Sequence, residues 1–137
     1  MAKHDFETAP RILVADDSRD TADIYCFLLT AVGYRVQRAY DGLTALSLAK
    51  VVKPDMAILN FSMPGLTGLQ VLRELREAGI KTKVIITSGT AAFNELAFRS
   101  VEEGAEACVR QPCPTDRLLG MVARVLGHPH TLRADKA

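Results

Sequence analysis

Two adjacent carboxylates, Asp16 and Asp17, are the residues of this sequence best suited to chemistry. Following directly on an apolar run, they could hold a hard cation through oxygen ligands, or simply cap a turn or a helix. Other sets are weaker. Cys26, Cys108 and Cys113 lack metal-ligand spacing, and three thiols fit a reducing compartment, the cytoplasm, better than a disulfide framework. His4, His128 and His130 stand near the two ends, where His128-Pro-His130 reads as a loose tail rather than a metal site. Gly65 and Gly68 are too loosely spaced to cradle a phosphate, and no Gly-x-x-x-x-Gly-Lys-Ser/Thr occurs, so nucleotide hydrolysis has no visible machinery.

The elements that must position the acid pair follow from the apolar pattern. Runs at 12–15, 56–59 and 84–86 have strand length without polar alternation, so both faces of these strands should be buried. Ile24, Phe27, Leu28, Ala31 and Val32 recur at helical spacing ahead of Gly33, which predicts a covering helix with that stripe inward. Further helices are predicted near 43–52, 67–78, 91–103 and 115–126, each followed by Pro54, Gly79, Gly104 or Gly127, and Asp41-Gly42 reads as the turn into the first of them. Short strands at 34–39 and 107–110 complete five strand-then-helix units. Such alternation winds right-handed crossovers around a parallel sheet covered on both faces, with functional groups at the carboxyl ends of the strands.

Composition agrees with one domain. The chain has 137 residues, 48% hydrophobic and 24% charged, an ordinary balance for a soluble domain with a real core. We expect a tail over 1–10, a domain over 11–127 and a second tail over 128–137. Lys and Arg total 17 against 16 acids, a net charge of +1, so no field is present to hold nucleic acid. The N-terminus lacks a signal peptide's apolar core, and no apolar run approaches the ~20 residues that span a bilayer, so no membrane partner is expected.

At the predicted strand ends stand Asp16 and Asp17, Asn60, Ser88 and Gln111, which should converge on one shallow pocket. The runs ILVADDS at 12–18, PDMAILNFSMPG at 54–65, VIITSG at 84–89 and GAEACVRQP at 104–112 are similar, in this order, to the receiver domains of response regulators in two-component signalling. The resemblance covers roughly residues 11 to 127. It implies a flavodoxin-like, doubly wound, five-stranded parallel sheet in the order 2-1-3-4-5 with helices on both faces. It also implies an acceptor carboxylate at position 60, phosphorylated by a histidine kinase with Mg²⁺ bound by Asp17, residue 60 and the backbone carbonyl of Ser62, and by Asp16 through water. A lysine at position 111 would pair with the phosphoryl oxygens, a hydroxyl at Ser88 would bond them, and an aromatic ring at position 108 would swing inward.

Three of these positions depart from the pattern, namely Asn60, Gln111 and Cys108. An amide is neutral and poorly nucleophilic and cannot form an acyl phosphate, so phosphorylation at Asn60 should be lost. Losing one carboxylate and one ammonium together leaves the pocket at two formal negative charges, and a neutral Gln111 opposite a neutral Asn60 makes a self-consistent pair. Cys108 reads as a small apolar filler rather than a redox or ligand-sensing thiol, as does Cys113. Mg²⁺ is expected to bind weakly at most, with an empty acidic pocket as the alternative.

The expected role is therefore an atypical receiver, not an enzyme, that acts through protein binding. Its partners would be a histidine kinase or another two-component protein, or a second copy through the fourth helix, fifth strand and fifth helix, with Phe98, Arg110, Arg117 and Arg124 on that face. Phe98 stands apart from the Phe93, Leu96, Ala97 and Val101 stripe, which would leave it exposed beside Cys108 and the last helix, with partial burial as the plainer reading. After Gly127 too few residues remain for an output domain. Two rivals stand beside this reading. One is a conventional phospho-accepting receiver with Asn60 as an introduced replacement. The other is a flavodoxin-like small-ligand binder, disfavoured because Asp16 and Asp17 would repel a phosphate.

Overall fold

The structure is a computed structural model that describes residues 8–127, so His4, His128 and His130 lie outside the described residues. Strands and helices alternate: β1 Arg11–Ala15, α1 Arg19–Ala31, β2 Arg35–Ala39, α2 Gly42–Val52, β3 Met56–Asn60, α3 Gly68–Glu77, β4 Lys83–Ser88, α4 Phe93–Glu102, β5 Ala107–Arg110 and α5 Thr115–Leu126. All strand pairs are parallel, in the order β2-β1-β3-β4-β5. Strand order reverses between β1 and β3, and the crevice beyond their carboxyl ends is where such sheets carry function. Ala15 pairs with Leu59 and Asn60 with Thr87, so the register sets Asp16, Asn60 and Thr87 side by side at that crevice.

The unbroken apolar runs are buried on both faces, as their pattern predicts. All five residues of β3 are buried, as are all but the first of β1 and β4. Leu13, Ala57, Leu59, Val84 and Ile86 face one way, against Ala45 and Ala49 of α2, Leu72 and Leu75 of α3 and Leu96 of α4. Ile12, Val14, Met56, Ile58 and Ile85 face the other way, against Ala22, Cys26 and Leu29 of α1 and Leu118 and Val122 of α5. The period of two along each strand thus feeds two separate cores.

Local chemistry fixes the helix starts. Ser18 caps α1 by accepting from the Thr21 N–H, and Asp41 caps α2 by accepting from the Thr44 N–H. Thr67 and Gln70 form a reciprocal capping box, at 3.1 and 2.8 Å, which makes Thr67 the cap of α3 rather than its first residue. α4 starts two residues later than the pattern suggests, at Phe93, and its cap residue Ala92 supplies no side-chain acceptor.

Two predicted faces are corrected. In α1 the buried residues are Ala22, Tyr25, Cys26 and Leu29, while Ile24 and Phe27 are 52% and 73% exposed. Both sets have helical spacing. The buried set includes small residues that let the helix lie close to the sheet, and Asp23 is turned toward β2, where Arg38 and the Tyr40 hydroxyl donate to it at 2.7 and 2.9 Å. In α4, Leu96 and Ser100 are buried and Val101 is exposed, and Phe98 takes the exposed setting, at 65%, rather than the partly buried one.

Candidate functional site

The crevice is built by backbone before side chains enter it. The Asp16 N–H donates to the Ala39 carbonyl at 3.1 Å and the Gln111 N–H to the Ser88 carbonyl at 2.9 Å, tying both chain segments to the sheet. The Gln111–Pro112 peptide is cis. Gly68 lies so close to β3 that a Cβ there would come within 2.6 Å of the Asn60 carbonyl oxygen. Only glycine lets α3 begin against the end of β3.

Asp16 and Asn60 are buried, at 3% and 8% exposure, whereas Asp17 is exposed. The Asn60 Nδ2 lies 3.4 Å from Asp16 Oδ1, 3.2 Å from Asp17 Oδ1 and 3.1 Å from the Ser62 carbonyl. Its Oδ1 accepts from the Thr87 hydroxyl at 3.4 Å. The opposite amide orientation would point an oxygen at two carboxylates and a carbonyl, so the hydrogen-bond network itself assigns the NH₂ group to the acid pair. Two protons are shared among three acceptors.

Gln111 reaches the buried acid of the pair, Asp16, but not Asn60 itself. Its Nε2 donates to Asp16 Oδ2 at 3.3 Å, and its amide lies beside the Tyr25 hydroxyl of α1. The two neutral amides are joined through the acid between them in a chain, Gln111–Asp16–Asn60–Thr87, because the buried carboxylate is the stronger acceptor. Burial raises the Asp16 carboxyl above its ordinary value and the Asp17 charge adds to this, against the lowering effects of the Ser18 N–H and Gln111. The Ser18 N–H donates to Asp16 Oδ1 at 2.9 Å.

Sequence reasoning did not single out Tyr25 or Thr87. Thr87 was accessible in principle, since it precedes Ser88 on a strand that must flank Asn60. Ser88 accepts from the Thr90 N–H at 3.1 Å and, with Asn60, Phe61, Ser62, Gly89, Thr90 and Gln111, lines a shallow cavity of about 350 Å³. The site residues at positions 16, 60, 62, 88 and 111 are thus brought together, with Asp17 bound to Asn60 at the rim.

The donor set suits a hard cation in one respect and resists it in another. Two carboxylates and the Ser62 carbonyl converge as oxygen ligands should. The atom on which they converge is an amide nitrogen, and Asn60 presents an oxygen there only after a half-turn of its side chain. Among the described residues no group of three His, Cys, Asp or Glu side chains lies together for a metal.

Cys108 and Cys113 are half-buried, and burial raises both thiols above the ordinary range, which disfavours the reactive thiolate. The Cys108 thiol lies beside the hydroxyl of the buried Ser100. Phe98, Arg110, Arg117 and Arg124 are all exposed, but Arg110 stacks on the ring of Phe93, 4.4 Å from its centroid, rather than on Phe98.

No described helix is long and apolar enough to cross a membrane. The structure resembles the receiver domain of the Francisella response regulator 1452, at 29% identity and a TM-score of 0.81 over 86% of this chain and 97% of that one. It also resembles the signal receiver domain of a putative Luxo repressor protein from Vibrio parahaemolyticus, at 30% identity and a TM-score of 0.80 over 87% and 91% of the two chains. A family model described as response regulator receiver domain matches residues 12–123, which contain the crevice, its acid pair and both amides; the chain belongs to that family.

Proposed function

We propose that this receiver domain serves two-component signalling without accepting a phosphoryl group at position 60, and that it acts by binding other proteins. The observation that carries the reading is the amide of Asn60, bonded through nitrogen to Asp16, Asp17 and the Ser62 carbonyl. A neutral amide offers no carboxylate to attack a phosphohistidine, and its oxygen is turned to Thr87. The second support is Gln111. A lysine there would bring an ammonium to phosphoryl oxygens, whereas this amide donates to Asp16. No enzymatic activity is proposed.

Weak Mg²⁺ binding is part of the proposal, through Asp17, Asn60 and Ser62 with Asp16 behind them. The partner would be a histidine kinase or another two-component protein, or a second copy of the chain, on the face formed by α4, β5 and α5. Phe98 offers an apolar anchor there, with Arg110, Arg117 and Arg124 as charged neighbours.

The test is incubation of the full chain with a small acyl phosphate and Mg²⁺, read by intact mass. No phosphoryl adduct is expected for the native chain, and one at position 60 would sink the reading. The retained Asp16, Asp17 and Ser88 support one rival, a conventional receiver disabled only at position 60. Asn60→Asp phosphorylated efficiently on its own would favour that rival. We expect substantial labelling only from Asn60→Asp combined with Gln111→Lys.

A further inference from the structure

We propose that the Asn60 amide group is a resident substitute for a divalent cation: its N–H groups hold Asp16, Asp17 and the Ser62 carbonyl together, and a cation is admitted only when the amide leaves that position. The inference rests on the reading of this crevice as a degenerate receiver site and assigns its regulation. Three oxygens from two chain segments, the turn after β1 and the loop after β3, point at one nitrogen, at 3.4, 3.2 and 3.1 Å. That is the convergence a hard cation demands, met here by two N–H donors.

The far end of the amide makes a half-turn feasible. Thr87 now donates its hydroxyl proton to Asn60 Oδ1 at 3.4 Å. A hydroxyl both donates and accepts, so after the turn Thr87 would accept from Nδ2 while Oδ1 faced the acids. Nothing has to be left unpaired at that end. At the near end the turn is unfavourable without a cation, because Oδ1 would then confront two carboxylates and a carbonyl. The amide also brings no net charge, so two formal negative charges persist in the crevice, partly offset at Asp16 by the Ser18 N–H and Gln111. Asn60 therefore closes the site without neutralising it, and divalent cations are attracted to the crevice yet opposed by the amide within it.

This role and the role of a plain ligand predict opposite signs for one substitution. If Asn60 were only a ligand, Asn60→Ala would remove a metal oxygen and weaken binding. If its N–H groups occupy the cation position, Asn60→Ala frees three oxygens and tightens binding. The experiment is calorimetric titration of the full chain with Mg²⁺ alone, for the native protein, Asn60→Ala and Asn60→Asp. Side-chain amide NMR spectra accompany it, with the Asn60 NH₂ signals identified by their loss in either variant. We expect severalfold tighter binding for Asn60→Ala and about tenfold or more for Asn60→Asp, which restores a charged oxygen. In the native protein, the Asn60 NH₂ signals should shift in step with the binding curve.

Equal or weaker binding by Asn60→Ala would overturn the proposal, as would a native Mg²⁺ affinity matching that of Asn60→Asp. Thermal unfolding keeps the test decisive for a poorly folding variant. Asn60→Asp should melt below the native protein in EDTA and recover in excess Mg²⁺, and a melting point unaffected by the substitution and by Mg²⁺ would count against the resident amide. None of these outcomes depends on phosphorylation, so the functional reading fails by the mass adduct, and this one fails by the titration or by the melting points.

Discussion

Gln111 and Asn60 meet through Asp16: the Gln111 Nε2 lies 3.3 Å from one carboxylate oxygen and the Asn60 Nδ2 lies 3.4 Å from the other. The Ser18 N–H also donates to this acid, so one buried carboxylate links the start of α1, the loop after β5 and the end of β3, with the Tyr25 hydroxyl lying beside Gln111. Gln111→Ala should cost about 1–3 kcal/mol, because it strips a donor from a carboxylate that has little water to replace it. Tyr25→Phe should cost less, and the two changes together should fall short of their sum. Urea unfolding of the four proteins measures this, and strict additivity would show that Tyr25 and Gln111 are not joined.

The sheet interior sets the larger part of stability. Ile58 is 1% exposed in the middle of β3, between strands on both sides. Ile58→Ala should lower the unfolding free energy by about 2–5 kcal/mol through lost transfer energy and the cavity left behind. A loss well under 1 kcal/mol on chemical denaturation would mean that this layer collapses to fill the space.

Gly68 makes a local prediction about the site. A Cβ there meets the backbone oxygen and carbon of Asn60 at 2.6 and 3.1 Å, atoms that cannot yield without moving the end of β3. Gly68→Ala should therefore destabilise by about 1–3 kcal/mol and shift the Asn60 side-chain amide resonances. An unmoved Asn60 signal would show that α3 gives way instead.

Asp41 carries a pH dependence whose sign is fixed. The Thr44 N–H, and then its hydroxyl, hold this carboxyl below its ordinary value of 3.8, through bonds of 2.7 and 3.0 Å. The unfolded chain binds more protons at this residue as pH falls through 3.8, so the capping contribution is complete above that pH and is lost as pH drops through the lower, folded value. Asn at 41 keeps an acceptor without the charge, so Asp41→Asn should resemble the native protein near neutrality and lose less stability in acid. The comparison is made as the difference between the two proteins, because the raised Asp16 contributes the opposite slope.

The exposed face of α4 yields a binding prediction. Phe98→Ala with Arg110→Ala should reduce capture of two-component partners, and of a second copy, while the melting point changes little for Phe98→Ala alone. Arg110→Ala also removes the stack on Phe93, worth about 0.5–1 kcal/mol at an exposed site. Unchanged capture by the double variant would remove this face from the proposal.

The strands were legible where both faces are buried, since β1, β3 and β4 appear as unbroken apolar runs between turn residues. The strand-end residues were legible because parallel winding must bring them to one edge. What pattern could not supply was partnership. Nothing in the spacing of Gln111 and Asn60 indicates that both would bond Asp16, Asn60 with Asp17 and the Ser62 carbonyl as further acceptors, because that depends on how the strand ends sit in three dimensions. Thr87 was hidden behind Ser88, its neighbour on the strand, which the family resemblance favoured. Helix faces failed for a related reason: α1 offers two stripes of apolar residues, and periodicity ranks them by hydrophobicity, whereas the sheet accepts the one with small side chains.

That ambiguity in α1 has a consequence for how the chain assembles. With Ile24 and Phe27 on one side and Ala22, Tyr25, Cys26 and Leu29 on the other, the helix by itself does not encode its own inside. The groups that hold Asp23, namely Arg38 and Tyr40, arrive only with β2 and the turn after it. The rotational setting of α1, and with it the placing of Tyr25 beside Gln111, is therefore a property of the β1–α1–β2 unit and not of the helix alone.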